Sequence, residues 1–234
     1  MKVSIKRDDA FVSYDVDVEG VTLLSLLNII KTKIDNTLSF SSSCRSSVCG
    51  SCSMRVNERE VLACSYKVQD GDTIEPLKNV TVLRDLVVDM DRAYSFNAKA
   101  KAWMHSQAES ISLTPEDEKI NELQSDCILC GSCYSACPVY AVNGEFLGPF
   151  SLTRVWKYVS DKREEGEQEK LNEIQVNGIW DCTLCNECTL VCPQGISSKA
   201  DIEKLRMKSA QYGFMDPNFG SFGGGFGFDG SPSF

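Results

Sequence analysis

Hydrophobic and polar positions alternate at the start of the chain: Val3 and Ile5 stand between Lys2, Ser4 and Lys6, and a second period-2 stretch covers Phe11 to Val18. The alternation predicts two strands paired as a hairpin. The period then changes. Leu23, Leu24, Leu26, Leu27, Ile30 and Ile34 fall on one face of a helix over Leu23 to Ile34. Two further short strands are predicted at Ser53 to Val56 and Glu60 to Cys64, with a turn around Asn57 and Glu58. Two strands, a helix and then more strands is the order of a β-grasp sheet.

From Val82 onward the spacing reads as helical, with Leu83, Leu86, Val87 and Met90 recurring at helical intervals. His105 falls in this stretch, where a surface or packing role outweighs proton transfer. Thr114-Pro115-Glu116 marks a helix start. Further starts are predicted at Ser151, before Thr153 to Ser160, and at Ser197 or Ser198, before a helix closing near Gly213. Asp161 to Gln168 is charge-rich and reads as a solvated turn. The last stretch, Met215 to Phe234, is rich in Gly, Phe and Ser and cannot form a core alone. It reads as an extended strap whose phenylalanines dock on a partner, with a free tail as the alternative. The division that follows is a first domain over 1–95, a helical domain over 96–214 and the tail over 215–234.

Composition narrows the class. Hydrophobic residues make up 42% of the 234 and charged residues 24%, as in a globular protein. The net charge of -9 argues against nucleic acid, whose phosphates demand a basic footprint, and suits partners with basic docking faces. No apolar run reaches the roughly 18 residues of a membrane span, and the start, MKVSIKRDD, lacks the apolar core of a secretory signal. The expectation is a water-soluble chain that does not export itself. Such a chain keeps its thiols reduced, yet it carries 12 cysteines beside a single histidine. Sites built almost wholly of thiolate suit iron-sulfur clusters or zinc and exclude calcium and magnesium.

The cysteines group four, four and four. Cys44, Cys49, Cys52 and Cys64 follow C-x4-C-x2-C and then a distant C, the plant-type [2Fe-2S] spacing. Gly50 and the small serines at 42, 43, 46, 47 and 51 let backbone N–H groups approach the sulfurs. Zinc is the alternative, but its ligands come as two close pairs, which a four-residue gap fits poorly. The other eight form an internal repeat of C-x2-C-x2-C-x3-C-P: Cys127, Cys130, Cys133, Cys137, Pro138 and Cys182, Cys185, Cys188, Cys192, Pro193. In this two-cluster ferredoxin signature the fourth cysteine of each run serves the other cluster. The ligand sets expected are therefore Cys127, Cys130, Cys133 and Cys192 for one [4Fe-4S] cluster, and Cys182, Cys185, Cys188 and Cys137 for a second. The fold class is α+β, a β-grasp plant-type ferredoxin domain followed by an all-α twin-cluster domain of bacterial-ferredoxin type. Fully thiolate-ligated clusters leave no open coordination site, so no catalytic residue is expected and the role is conduction.

The stretch Cys44-Arg45-Ser46-Ser47-Val48-Cys49-Gly50-Ser51-Cys52, with Leu62-Ala63-Cys64, is similar to the [2Fe-2S] loop of succinate dehydrogenase and fumarate reductase iron-sulfur subunits. Arg84-Asp85-Leu86-Val87-Val88-Asp89 resembles that family's interdomain helix, and the likeness runs to about residue 212. It implies a flavoprotein partner with FAD that interconverts succinate and fumarate, a quinone-side partner, and attachment to the membrane through partners. The cytoplasmic face is implied, or the periplasmic face if a partner exports the complex. The chain departs from the family pattern at Cys185, where an apolar or hydroxyl residue usually leaves a [3Fe-4S] cluster. It departs again at Val139-Tyr140-Ala141-Val142 and Thr183, which replace the usual quinone-contacting tryptophan and histidine, and at Ser47, which replaces a glycine. These departures resemble methylmenaquinol-dependent fumarate reductases, in which a cysteine-rich subunit similar to that of heterodisulfide reductase takes the place of a haem-bearing anchor. The alternative keeps the wire and changes the flavoprotein, to one of glycolate, glycerol-3-phosphate or heterodisulfide type.

Overall fold

The computed structural model describes residues 1–106 and 111–217. In chain order the elements are β1 (Lys2–Arg7), β2 (Ala10–Asp15), α1 (Leu23–Lys33), β3 (Ser53–Val56), β4 (Arg59–Leu62), β5 (Thr73–Glu75), β6 (Thr81–Arg84), β7 (Val87–Asp89), α2 (Asp91–Lys99), α3 (Pro115–Lys119), α4 (Glu122–Ser125), α5 (Ser132–Ser135), α6 (Pro138–Val142), α7 (Pro149–Val159), α8 (Glu167–Glu173), α9 (Glu187–Leu190) and α10 (Ser198–Gln211). The first five strands form one sheet in the order β2-β1-β5-β3-β4, in which β1 and β5 run parallel and the other neighbours antiparallel. Val3 and Ile5 turn inward from β1, and α1 lays Leu23, Leu24, Leu26, Leu27 and Ile30 into the same core. Thr22 caps α1 by accepting from Ser25 N at 3.2 Å. Asn57 and Glu58 both take positive φ between β3 and β4, the geometry of a tight hairpin.

The expected helix at Val82 to Met90 is not there. β6 and β7 pair as a hairpin instead, and helix begins only at Asp91. Helical spacing would put Leu83 and Leu86 on one face, yet Leu83 is 62% exposed and Leu86 2%. The cause is Asp85, which holds φ 50 in the turn and receives Arg7 Nε at 2.9 Å and Ser39 N at 2.8 Å. Those bonds tie the turn to β1 and draw Leu86 into the first core. The stretch Arg84 to Asp89, which resembled an interdomain helix, is thus a turn and a strand.

The second core is helical and aromatic. Tyr134 is fully buried among Phe96, Tyr140 and Phe150, with ring centroids 4.4 Å apart for Tyr134 and Phe150, and its hydroxyl donates to Leu147 O. α2 buries Ala93 and Phe96 here, so the first core reaches Leu86 and the second begins at Ala93. α7 begins at Pro149 rather than Ser151. Gly148 precedes it at φ 80 and ψ 167, and Ser151 lies inside the helix, buried, 3.1 Å from the Tyr134 hydroxyl. α3 carries the predicted start as a full capping box between Thr114 and Asp117.

Two further expectations are corrected. His105 lies in an irregular segment, where its N–H donates to Glu164 Oε2 at 3.1 Å and its carbonyl accepts from Glu165 N. The charged stretch from Asp161 is not wholly solvated. The Glu164 carboxylate, 0% exposed, pairs with Lys170 Nζ, 1% exposed, at 2.6 Å and also accepts from Gly166 N. A buried charge survives only when paired and hydrogen-bonded, and sequence spacing alone does not show such pairing. The Gly/Phe strap lies outside the described residues beyond Pro217.

Asn79, in the linker after β5, fastens the domains together. Its Nδ2 donates to the carbonyls of Tyr134, Ser135 and Cys137. Beside it Ser135 Oγ donates to Glu60 Oε1 at 2.8 Å and accepts from Lys78 N. No helix among the described residues is long and apolar enough to cross a membrane.

Candidate iron-sulfur sites

Cys44, Cys49 and Cys52 ride on one loop that leads into β3, and Cys64 follows β4. The loop reverses through left-handed backbone at Arg45, Ser47 and Gly50, with φ 62, 63 and 71. Ser47, in the place of a glycine, thus keeps a glycine-like conformation at a cost of about 1 kcal/mol. The reversal turns N–H groups inward: Ser46 N donates to Cys44 Sγ at 3.4 Å and Cys44 N to Cys49 Sγ at 3.5 Å. Ser51 Oγ lies 3.2 Å from Cys49 Sγ, and Ser47 Oγ 3.5 Å from Cys64 Sγ. The N–H groups of Ser46 and Val48 hold the Cys44 thiol down at about 6. Burial pushes the Cys52 thiol up to about 11, and the neighbouring Cys64 and Cys49 oppose its ionisation further.

The two later runs share one backbone course. Leu129 and Leu184, each just before the second cysteine of its run, take φ 53 and 57; Gly131 and Asn186, just after it, take φ 81 and 73 and lead into α5 and α9. The turns direct amides at sulfur, as in Leu184 N to Cys182 Sγ and Tyr140 N to Cys137 Sγ, both 3.4 Å. Cys127, Cys130, Cys133 and Cys192 line one cavity, walled by Phe150, Thr153 and Pro193. Cys137 instead lies with Cys182, Cys185 and Cys188. Each run therefore sends its fourth cysteine to the other run's trio. Burial pushes the Cys188 thiol up to about 12 and the Cys133 thiol well above its ordinary value. Neutral thiols are the stable form in such pockets until a cation is present to hold thiolates. Cys185 is the one exposed member of the twelve.

This donor set fits iron-sulfur clusters: four sulfurs per site and convergent backbone N–H groups. Sequence reasoning missed the left-handed residues beside each second cysteine. Gly131 and Asn186 belong to the types that take positive φ readily and could have been read that way; the two leucines carry no such signal.

The 2Fe-2S iron-sulfur cluster binding domain family matches residues 2–95, and the 4Fe-4S dicluster domain family matches residues 123–196. The 8-methylmenaquinol:fumarate reductase iron-sulfur subunit of Wolinella succinogenes is 35% identical, over 91% of this chain and 74% of that protein. The fumarate reductase iron-sulfur subunit of Mycobacterium tuberculosis is 34% identical, over 94% of each. This chain belongs to the fumarate reductase and succinate dehydrogenase iron-sulfur subunit family. As a family member it is an electron-transfer subunit of an oxidoreductase complex. A chain of the Mycobacterium smegmatis Sdh1 complex in the apo form shares the fold, with a TM-score of 0.79 over 90% of this chain and 95% of that one, at 24% identity.

Proposed function

We propose that this subunit carries one [2Fe-2S] cluster on Cys44, Cys49, Cys52 and Cys64, one [4Fe-4S] cluster on Cys127, Cys130, Cys133 and Cys192, and a second on Cys182, Cys185, Cys188 and Cys137. When bound, the clusters supply one-electron storage. The chain's part is to fix their places, donate N–H groups to the sulfurs and exclude water. The observation that carries the reading is the gathering of twelve cysteines into three groups of four, two of them completed by exchange of a fourth member. One domain then covers 1–95 and a second 96–214, with a tail over 215–234.

The complex is of fumarate reductase type. A flavoprotein with FAD exchanges electrons with fumarate or succinate on one side, and a cysteine-rich or membrane-anchor subunit serves the quinone pool on the other. Attachment to the membrane is through these partners. The methylmenaquinol-dependent relative supports this branch, as do Cys185 and the stretch after Pro138, where Tyr140 turns into the aromatic core. Redox-titrated EPR with iron analysis of the anaerobically purified complex tests the reading. The expected result is one two-iron and two four-iron signals and about ten irons per chain. Zinc in place of iron, or a three-iron signal in untreated material, overturns it. Co-purification of a flavoprotein that reduces fumarate tests the partner.

A further inference from the structure

The [2Fe-2S] loop meets the helical domain at two points, and both belong to segments bearing cysteines of one quartet. The first is Gly50, between Cys49 and Cys52. At φ +71 its Cα lies so close to the other domain that a Cβ would stand 2.8 Å from Cys130 Cα, Cys130 Cβ and Ile128 O. Two of these three atoms are backbone, so a rotamer change could not make room. The second is Ser47, whose carbonyl accepts from Gln194 Nε2 at 3.0 Å. Gln194 stands two residues after Cys192, and Cys192 lines the same cavity as Cys130. One cysteine-bearing loop is thus pinned to both arms of a single site, although those arms lie more than sixty residues apart in sequence.

We propose that Gly50 and Gln194 are positioning residues for electron transfer: they fix the gap between the [2Fe-2S] loop and the site of Cys127, Cys130, Cys133 and Cys192 by letting backbone meet backbone at Cys130. This rests on the ligand sets proposed above. A single electron crosses in either direction, with no bond made or broken and no proton moved. Tunnelling falls steeply with distance, so bulk at Gly50, pressing on the backbone at Ile128 and Cys130, widens the gap and slows the crossing while every ligand cysteine stays in the chain. Asn79 and Glu60 fasten the domains elsewhere, so the variants stay docked.

The test uses the whole complex, purified without oxygen, with Gly50→Ala, Gly50→Asn or Gln194→Ala. Asparagine tolerates the left-handed backbone, so Gly50→Asn separates added bulk from strain. EPR first types the clusters in the wild-type complex; absence of the two-iron or four-iron signal there refutes the ligand reading and with it the basis of this one. With both present, the expected result is a loss of the magnetic broadening between the two reduced clusters and slower reduction of one through the other, at unchanged midpoint potentials. If the Gly50 variants fail to hold the two-iron cluster, Gln194→Ala decides, since it leaves the loop's glycine in place. Unchanged broadening and rate in every variant that keeps its clusters overturns the proposal.

Discussion

Cys185 differs from its eleven counterparts in standing at the surface, and in the proposed reading it holds the fourth iron of its cluster. Cys185→Ala is expected to leave a three-iron cluster, with one iron fewer per chain and a three-iron EPR signal in the oxidised complex. Buried charge gives two further predictions. Lys170→Met strands the Glu164 carboxylate, and the unfolding free energy should fall by about 3–5 kcal/mol in thermal or denaturant melts. Replacing both residues with apolar ones of similar volume should recover most of that loss. Asp201, 1% exposed, accepts from Gln124 Nε2 at 2.8 Å and Thr153 Oγ1 at 3.1 Å, with Lys204 Nζ at 3.9 Å. Burial outweighs these partners and raises its carboxyl from 3.8 to about 6. The folded state therefore binds the proton more tightly than the unfolded one. The penalty this group imposes is complete above pH 6 and fades as pH falls toward 3.8. Asp201→Asn should be more stable than wild type at pH 7, and its advantage should shrink between pH 6 and 4 in paired melting curves.

At the scale of elements, Gly148 sets where α7 begins. A Cβ there would lie 2.2 Å from the Tyr134 ring, and the backbone occupies a region open only to glycine. Gly148→Ala is expected to destabilise the helical core by about 1–3 kcal/mol from backbone strain, with repacking of Tyr134 adding to it, measurable as a lowered melting temperature. Elements that declare themselves by local period were legible: β1, α1, β3 and the Asn57-Glu58 turn follow from alternation, an apolar face and turn chemistry. The β6–β7 hairpin was not, because Arg7 and Ser39, remote in sequence, hold the turn at Asp85. Likewise Gly148-Pro149 starts α7, although Ser151 carries the more familiar capping side chain. The cysteine groups were legible because ligand spacing is a covalent property of the chain. Contacts such as Gly50 on Cys130 were not, since nothing in either segment names the other.

In the whole molecule, a β-grasp sheet with a dense aliphatic core stands beside a helical domain whose α5 and α9 have four residues each. Helices so short do not persist without tertiary support. Stripping iron with a chelator under reducing conditions should therefore unfold the segment 127–196 locally. Amide exchange there is expected to accelerate while β1, β3 and α1 stay protected.

The exchange of Cys137 and Cys192 between the two runs also bears on biogenesis. A ribosome releasing the chain from its beginning exposes the first run complete, yet its cavity lacks a wall until the second run, more than fifty residues on, has emerged. In the proposed ligand sets the second run's site has its four cysteines once Cys188 has emerged, while the first run's site waits for Cys192, so the site begun first is completed last. The two-iron loop, whose four cysteines end at Cys64, has no such wait.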